Sequence, residues 1–165
     1  MTSITTDRLR LRPLRLVLPR HPVWLNDPEV VRYSEQRHVR HTAESCAAYL
    51  ETFDFETSFV WGIVSGFDHI GNITARIDQF NDTADIGILI GERGCWGQGY
   101  GAEAWRAVCD YMLTRVRKVE AGTMGCNAGM LRVFHKTGMV IEGHRRAHFM
   151  VDGQPVDLTM AARVR

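Results

Sequence analysis

The segment Ile86-Gly87-Ile88-Leu89-Ile90-Gly91-Glu92-Arg93-Gly94-Cys95-Trp96-Gly97-Gln98-Gly99-Tyr100-Gly101-Ala102-Glu103-Ala104-Trp105 decides how the rest of the chain is read. Its apolar, partly β-branched run up to Ile90 has the length of a strand covered on both faces. Gly97, Gly99 and Gly101 then alternate with Gln98 and Tyr100. Glycine takes positive φ without a steric penalty and lets the backbone come close to a ligand. The pattern after Gly101 is helical. The first free N–H groups of that helix, and the positive end of its dipole, therefore point into the loop. Such an arrangement suits an anion, above all a pyrophosphate.

Several readings of this loop compete. A Walker A loop needs Gly-Lys-Ser/Thr, and no lysine lies near, which argues against an NTPase. The dinucleotide fingerprint G-x-G-x-x-G/A fits Gly97, Gly99 and Ala102, with Glu120 at a suitable sequence distance for a ribose contact. Against it, the preceding chain reads as antiparallel strands and only one more helix follows. A doubly wound sheet has no room. A plain tight strand-to-helix turn is the bland reading.

The bulk composition narrows the class. The chain has 165 residues, 45% hydrophobic and 24% charged, as expected for one globular domain with a sizeable core. A net charge of +1 gives no general electrostatic case for nucleic acid or an anionic membrane. Cys46, Cys95, Cys109 and Cys126 form no C-x-x-C pair and no zinc spacing, so no metal is expected. Scattered thiols fit a reducing compartment. With no signal peptide and no bilayer-length apolar run, a cytoplasmic location is expected.

Taken in order, Thr6 to Leu14 alternates strictly and reads as a strand with one basic face. His21 to Tyr33 reads as one or two short helices, with Asp27 as an N-cap and Pro28 at the first helical position. Tyr33 to His41 is a polar loop carrying Glu35, Arg37, His38 and His41, either a binding wall or a solvated loop. Thr42 opens a helix running to about Phe53. Ser58–Val64 and His69–Phe80 form a hairpin, and a second turn at Asn81-Asp82-Thr83 leads into the key strand. The helix after the loop runs from Gly101 to Leu113, followed by a parallel strand over Arg117–Met124. Asn127 caps a further helix that ends at Gly138, and Met139–Val151 and Pro155–Val164 are two last strands.

Two of these stretches resemble the acyl-CoA motifs of the GNAT N-acetyltransferases. Trp96-Gly97-Gln98-Gly99-Tyr100-Gly101 is similar to the family's Gln/Arg-x-x-Gly-x-Gly/Ala, with Trp96 in the Gln/Arg place. Its Trp-Gly-x-Gly-Tyr-Gly-x-Glu-Ala form resembles the RimJ/RimL branch, as does the opening Thr6-Asp7-Arg8-Leu9. Asn127, Arg132, Val133, Lys136 and Gly138 match the second motif, Asn-x-x-Ser-x-Arg-Val-x-x-Lys-x-Gly-Phe. The resemblance covers essentially the whole chain, residues 1–165, as one domain. It implies a mixed α/β (α+β) fold: a mostly antiparallel sheet of about seven strands, splayed between the fourth and fifth, with about four flanking helices.

The resemblance also implies acetyl-CoA as co-substrate, a primary amine as acceptor and a homodimer. Leu89, Ile90 and Gly91 would offer unpaired N–H groups to the pantetheine arm and to the oxyanion. Gly97 through Ala102 would cradle the pyrophosphate, with Trp96 beside them in the same cofactor-binding stretch. Asn127 would reach the pantetheine amides, and Arg132 or Lys136 would meet a phosphate or face solvent. Asp85 stands where the family often has a key-strand Glu, as a base or as part of a sheet-end network. Glu35 and His38 are the other candidate bases. Met130 replaces the motif's Ser, and Phe134 stands where many members carry a Tyr that protonates the thiolate. Coenzyme A would then leave unassisted, or take its proton from water or the ammonium product. The acceptor stays open between a protein N-terminus and small amines, including polyamines, sugar-nucleotide amines and antibiotics. A non-catalytic acyl-CoA-binding module is the alternative from another class.

Overall fold

Alternation of apolar and polar residues builds the sheet one strand at a time. In the computed structural model, which describes residues 2–165, β2 (Leu9–Pro13) buries Leu9 and Leu11 and turns Arg10 and Arg12 to solvent. A two-residue strand, β1 (Ile4–Thr5), pairs with it. The remaining strands are β3 (Ser58–Ser65), β4 (Asp68–Asp78), β5 (Thr83–Ile90), β6 (Lys118–Met124), β7 (Val140–Val151) and β8 (Gln154–Val164). They form one eight-stranded sheet in the order β1-β2-β3-β4-β5-β6-β8-β7. The expected seven strands are all present; β1 is the addition.

Every neighbouring pair is antiparallel except β5 and β6. Those two run parallel because the crossover between them is a helix, α3 (Tyr100–Leu113). They pair only at Thr83–Asp85 with Lys118–Glu120 and then part. Leaving β1 aside, this is the parting expected between the fourth and fifth strands.

Three more helices flank the sheet: α1 (Arg20–Leu25), α2 (Ala43–Glu51) and α4 (Ala128–Lys136). On one face, Ala84 and Ile86 of β5 pack with Trp105, Val108 and Met112 of α3 and Phe134 of α4. The Trp105 and Phe134 rings lie 5.7 Å apart and bind α3 to α4. On the other face, Leu50 of α2 packs with Leu14, Phe53 and Val60 in a smaller cluster.

The segment before α2 departs from expectation. Asp27 and Pro28 do not start a helix. The Asp27 carboxylate accepts the Glu29 N–H at 2.9 Å and closes a local turn instead. The helix lies earlier, as α1, and the Asn26 amide ties its end to Pro22 O and His41 O. The predicted polar loop contains a 3₁₀ turn, Glu35–His38, capped by Ser34. At Thr42 the expected helix start holds, through a reciprocal capping box with Ser45.

Replacing Trp105 by Ala should cost about 3–5 kcal/mol of unfolding free energy, because it empties the α3–α4 contact. Urea unfolding should show a lower midpoint with an unchanged slope.

Candidate active site

The parting of β5 from β6 fixes which backbone groups are free. The Arg117 N–H donates to Asp82 O, so the even-numbered residues of β5 face β6. Past Asp85 no β6 residue pairs with them. The Asp85–Glu120 pair still engages the Ile86 N–H, so the N–H groups that open onto the gap are those of Ile88 and Ile90. This corrects the expected set: Leu89 faces β4, where it pairs with Asn72, and the Gly91 N–H donates to Ile70 O at 2.9 Å. Of the three expected backbone donors only Ile90 faces the gap, and Ile88 joins it.

The glycine loop closes the gap at its upper end. Gly97 and Gly99 have φ of 74° and 85°, the left-handed region that glycine enters freely. Gly99 is the N-cap of α3 and has no side chain to cap with, so the leading N–H groups of the helix stay open to a ligand. The loop is braced from outside. Arg8 donates from Nη1 to Gln98 O at 2.9 Å, and its guanidinium lies 4.5 Å from the centre of the Tyr100 ring. The Glu103 carboxylate accepts from the Thr6 hydroxyl (2.6 Å), the Arg8 N–H (2.9 Å) and Arg8 Nε (2.6 Å). Partial burial pushes the Glu103 pKa up, but those bonds outweigh it and hold the pKa below the usual value.

Loop and gap enclose a cleft of about 460 Å³. Ile88, Leu89, Ile90, Trp96, Gly97, Gly99, Gly101, Ala102, Asn127, Arg132 and Lys136 all line it. Gln98 and Tyr100 do not; they belong to the outer brace. Asn127 is already committed, since its Oδ1 accepts the Met130 N–H and its Nδ2 donates to Thr123 Oγ1. Glu29, Val30, Tyr33 and Ser34 complete the wall from the turn before α2. Of these, sequence reasoning named only Tyr33 for a binding wall. A second cleft of about 380 Å³ lies on the α2 side of β5. The two clefts share Ser34, Ile88 and Leu89.

A family model described as "Acetyltransferase (GNAT) domain" matches residues 8–140. The chain belongs to the GNAT acetyltransferase family. It is an acetyl-CoA-dependent N-acetyltransferase by that membership, and its open N–H groups and basic Arg132 and Lys136 fit a phosphate-bearing donor. The Bacillus subtilis protein named "Probable N-acetyltransferase YjcK" is 28% identical over 130 residues, covering 75% of this chain and 71% of that one. Among solved structures, RimL, the ribosomal L7/L12 alpha-N-protein acetyltransferase in complex with coenzyme A, superposes with a TM-score of 0.86 at 16% identity, covering 99% of this chain and 98% of the other. Spermidine N-acetyltransferase from Vibrio cholerae, in complex with CoA and spermine, gives 0.81 at 17%, covering 96% of each.

Within this GNAT domain the dinucleotide reading fails. The sheet has a single parallel pair, and Glu120 sits on β6 beside Lys118 (3.6 Å), away from the donor cleft. Asp85 lines neither cleft; it stands, still open to solvent, between Arg76 on β4 and Glu120 on β6, on the strand face that carries Gly87 and Leu89. Lost hydration in that angle, then Glu120, push its pKa up to about 6 against the pull of Arg76. Glu35 lines neither cleft; its carboxylate pairs with Arg37 at 2.9 Å and lies 4.0 Å from His38. His38 lines a separate outer groove with Arg32 and Arg40. Phe134 is buried against Trp105, outside both clefts, whereas Met130 lines the donor cleft. Cys95 also lines it, but burial, Glu92 and Asp68 push its thiol pKa up, which disfavours the nucleophilic thiolate. Among the described residues, no group of His, Cys, Asp and Glu is placed to hold a metal, and no helix is long and apolar enough to cross a membrane.

Glu103→Gln should loosen the loop brace. The Kd for acetyl-CoA should rise about three- to tenfold, ~0.6–1.4 kcal/mol, in calorimetric titration.

Proposed function

We propose that the chain moves the acetyl group of acetyl-CoA to the primary amine of an acceptor seated in the second cleft, by direct attack in a ternary complex. The observation that carries this is the junction at Ser34, Ile88 and Leu89, where the two clefts touch across β5. A thioester held on one side can there meet an amine held on the other.

Each step has a residue to serve it. Acetyl-CoA supplies the activated acyl group. Ile88 both lines the junction and carries an N–H that faces the gap, so it is the donor for the carbonyl oxygen as that oxygen gains charge. An alkylamine with a pKa of about 10 arrives protonated and must lose a proton before it attacks. Asp85 is the proton acceptor. It lies two residues before Gly87, which lines the acceptor cleft, and on the same strand face, so a water relay along that face links the amine to it. Asp85, Glu35 and His38 all lie outside the cleft lining, but only Asp85 shares the strand face that carries Gly87; Glu35 is held by Arg37, and His38 lines a separate groove. For the departing thiolate, the hydroxyl at the junction is that of Ser34. Its oxygen accepts the Gln36 N–H at 3.2 Å, which leaves its own proton free to be donated.

Thiol release from acetyl-CoA in the presence of a panel of amines tests the reading. Amine-dependent release supports transfer; tight acetyl-CoA binding with no release from any amine would make the chain a binding module.

The pH dependence follows from Asp85. Only the ionised carboxylate accepts a proton, so kcat/KM should rise with pH through about 6 and fall away below it. Asp85→Asn should remove that limb and lower kcat about a hundredfold, with the KM for acetyl-CoA unchanged. A variant with wild-type kcat would rule Asp85 out.

A further inference from the structure

The acceptor cleft has a polar end that the transfer chemistry does not use. His21 of α1 lines this cleft and is only 3% exposed. Its Nδ1 accepts the Leu18 N–H at 3.2 Å, so in the neutral ring the proton sits on Nε2. That Nε2 is buried and has no hydrogen-bond partner among the described residues. A buried N–H without a partner is a net cost to folding, so its presence calls for a reason. Burial, with His69 beside it, pushes the His21 pKa down to about 4 despite the nearby Asn72 amide. The ring is therefore an uncharged donor at neutral pH.

His69 and Asn72 hold this donor in place. The His69 ring on β4 meets His21 nearly edge-on, 5.2 Å between centroids. His69 Nε2 lies 2.8 Å from Asn72 Oδ1, and an amide oxygen only accepts, so that nitrogen carries the proton. Gly62 leaves the space for His69: a Cβ there would stand 3.1 Å from Nε2. Asn72 pairs with Leu89 in the β4–β5 register, which sets the cluster beside the junction of the clefts. Two other buried nitrogens lack a partner, His69 Nδ1 and Trp105 Nε1, and neither residue lines either cleft.

The rest of the lining is mostly apolar, from residues such as Leu25, Val39, Leu50 and Val60, and it carries no fixed charge. Its polar groups are Ser34, Gln36, Ser45, Tyr49, Asn72, Thr74 and a second histidine, His41, whose Nε2 is engaged by Gln36 O at 3.2 Å; no Asp, Glu, Lys or Arg lines the cleft. A second ammonium group on the acceptor would be desolvated there without a counter-charge. A hydroxyl or carbonyl oxygen would instead complete the hydrogen bonding of His21. We propose that His21 donates its Nε2–H to an oxygen of the acceptor, and that the acceptor is a small oxygen-bearing amine, an amino alcohol or amino sugar, and not a polyamine. This rests on the reading that the second cleft receives the acceptor. His69 and Asn72 act as positioning residues.

The test is long-range proton–nitrogen correlation of the histidine rings in the full chain saturated with coenzyme A. His21 is assigned by its loss in His21→Phe. The expected result is a neutral Nε2–H tautomer at pH 7 whose signal shifts saturably with glucosamine or ethanolamine and stays put with spermidine. In turnover, His21→Phe should lower kcat/KM for the responding amine about tenfold at constant KM for acetyl-CoA, and His21→Gln, which keeps an N–H donor, should recover most of the loss. An Nδ1–H tautomer, no shift with any probe, or a preference for spermidine would overturn the proposal. A preference for a seryl peptide would overturn the small-molecule assignment. A glucosamine-dependent shift without thiol release from any amine would uphold the His21 site and refute the transferase reading.

Discussion

The parting of two parallel strands governs everything else in this molecule. Backbone donors inside a sheet need partners, and two N–H groups on one edge of β5, those of Ile88 and Ile90, lose theirs beyond the last pair. A sheet that ended so in a closed core would pay the full desolvation cost. Here the unpaired edge lines a cleft, where solvent or a ligand's amide and carbonyl groups can take the place of the missing strand. The gap is thus an absence of pairing held open by elements that are themselves fully paired. β4 holds β5 along its whole length, and β8 holds β6.

The glycine loop shows the same division between a soft inner surface and a stiff outer one. Its inner side is glycine and open N–H. Its outer side is bound to the turn between β1 and β2, where Thr6 and Arg8 meet Glu103 from more than ninety positions away in sequence. A surface ion pair alone would add little. This one is part of a network that also includes a neutral hydrogen bond and a cation over a ring, so several contacts must break together before the loop moves.

Much of the donor side was legible in the sequence, because it depends on local chemistry. Gly97 and Gly99 need positive φ, Asn127 caps its helix and Thr42 opens another, and each of these can be read within four residues. The errors came where tertiary contacts decide. Which residues of β5 present free N–H groups is a matter of strand parity, fixed by a single bond from Arg117 to Asp82. Asp27 and Pro28 form a sound local helix signal, overruled by a competing side-chain turn. Phe134 stands where many members carry a Tyr, yet the α3–α4 contact draws it into the core. His21 carries no signal at all in sequence. A lone histidine beside two prolines becomes notable only once the fold has buried it and left one nitrogen unpaired.

Ser34, Ile88 and Leu89 belong to both clefts, so the partition between the two is one residue thick. Whatever pins that partition from one side pins it for the other. Occupancy of the two clefts is then linked, and the linkage must be equal in both directions: if the donor sharpens the acceptor's fit, the acceptor slows the donor's escape by the same free energy. A thin shared wall thus ties the two clefts together with no moving lid required.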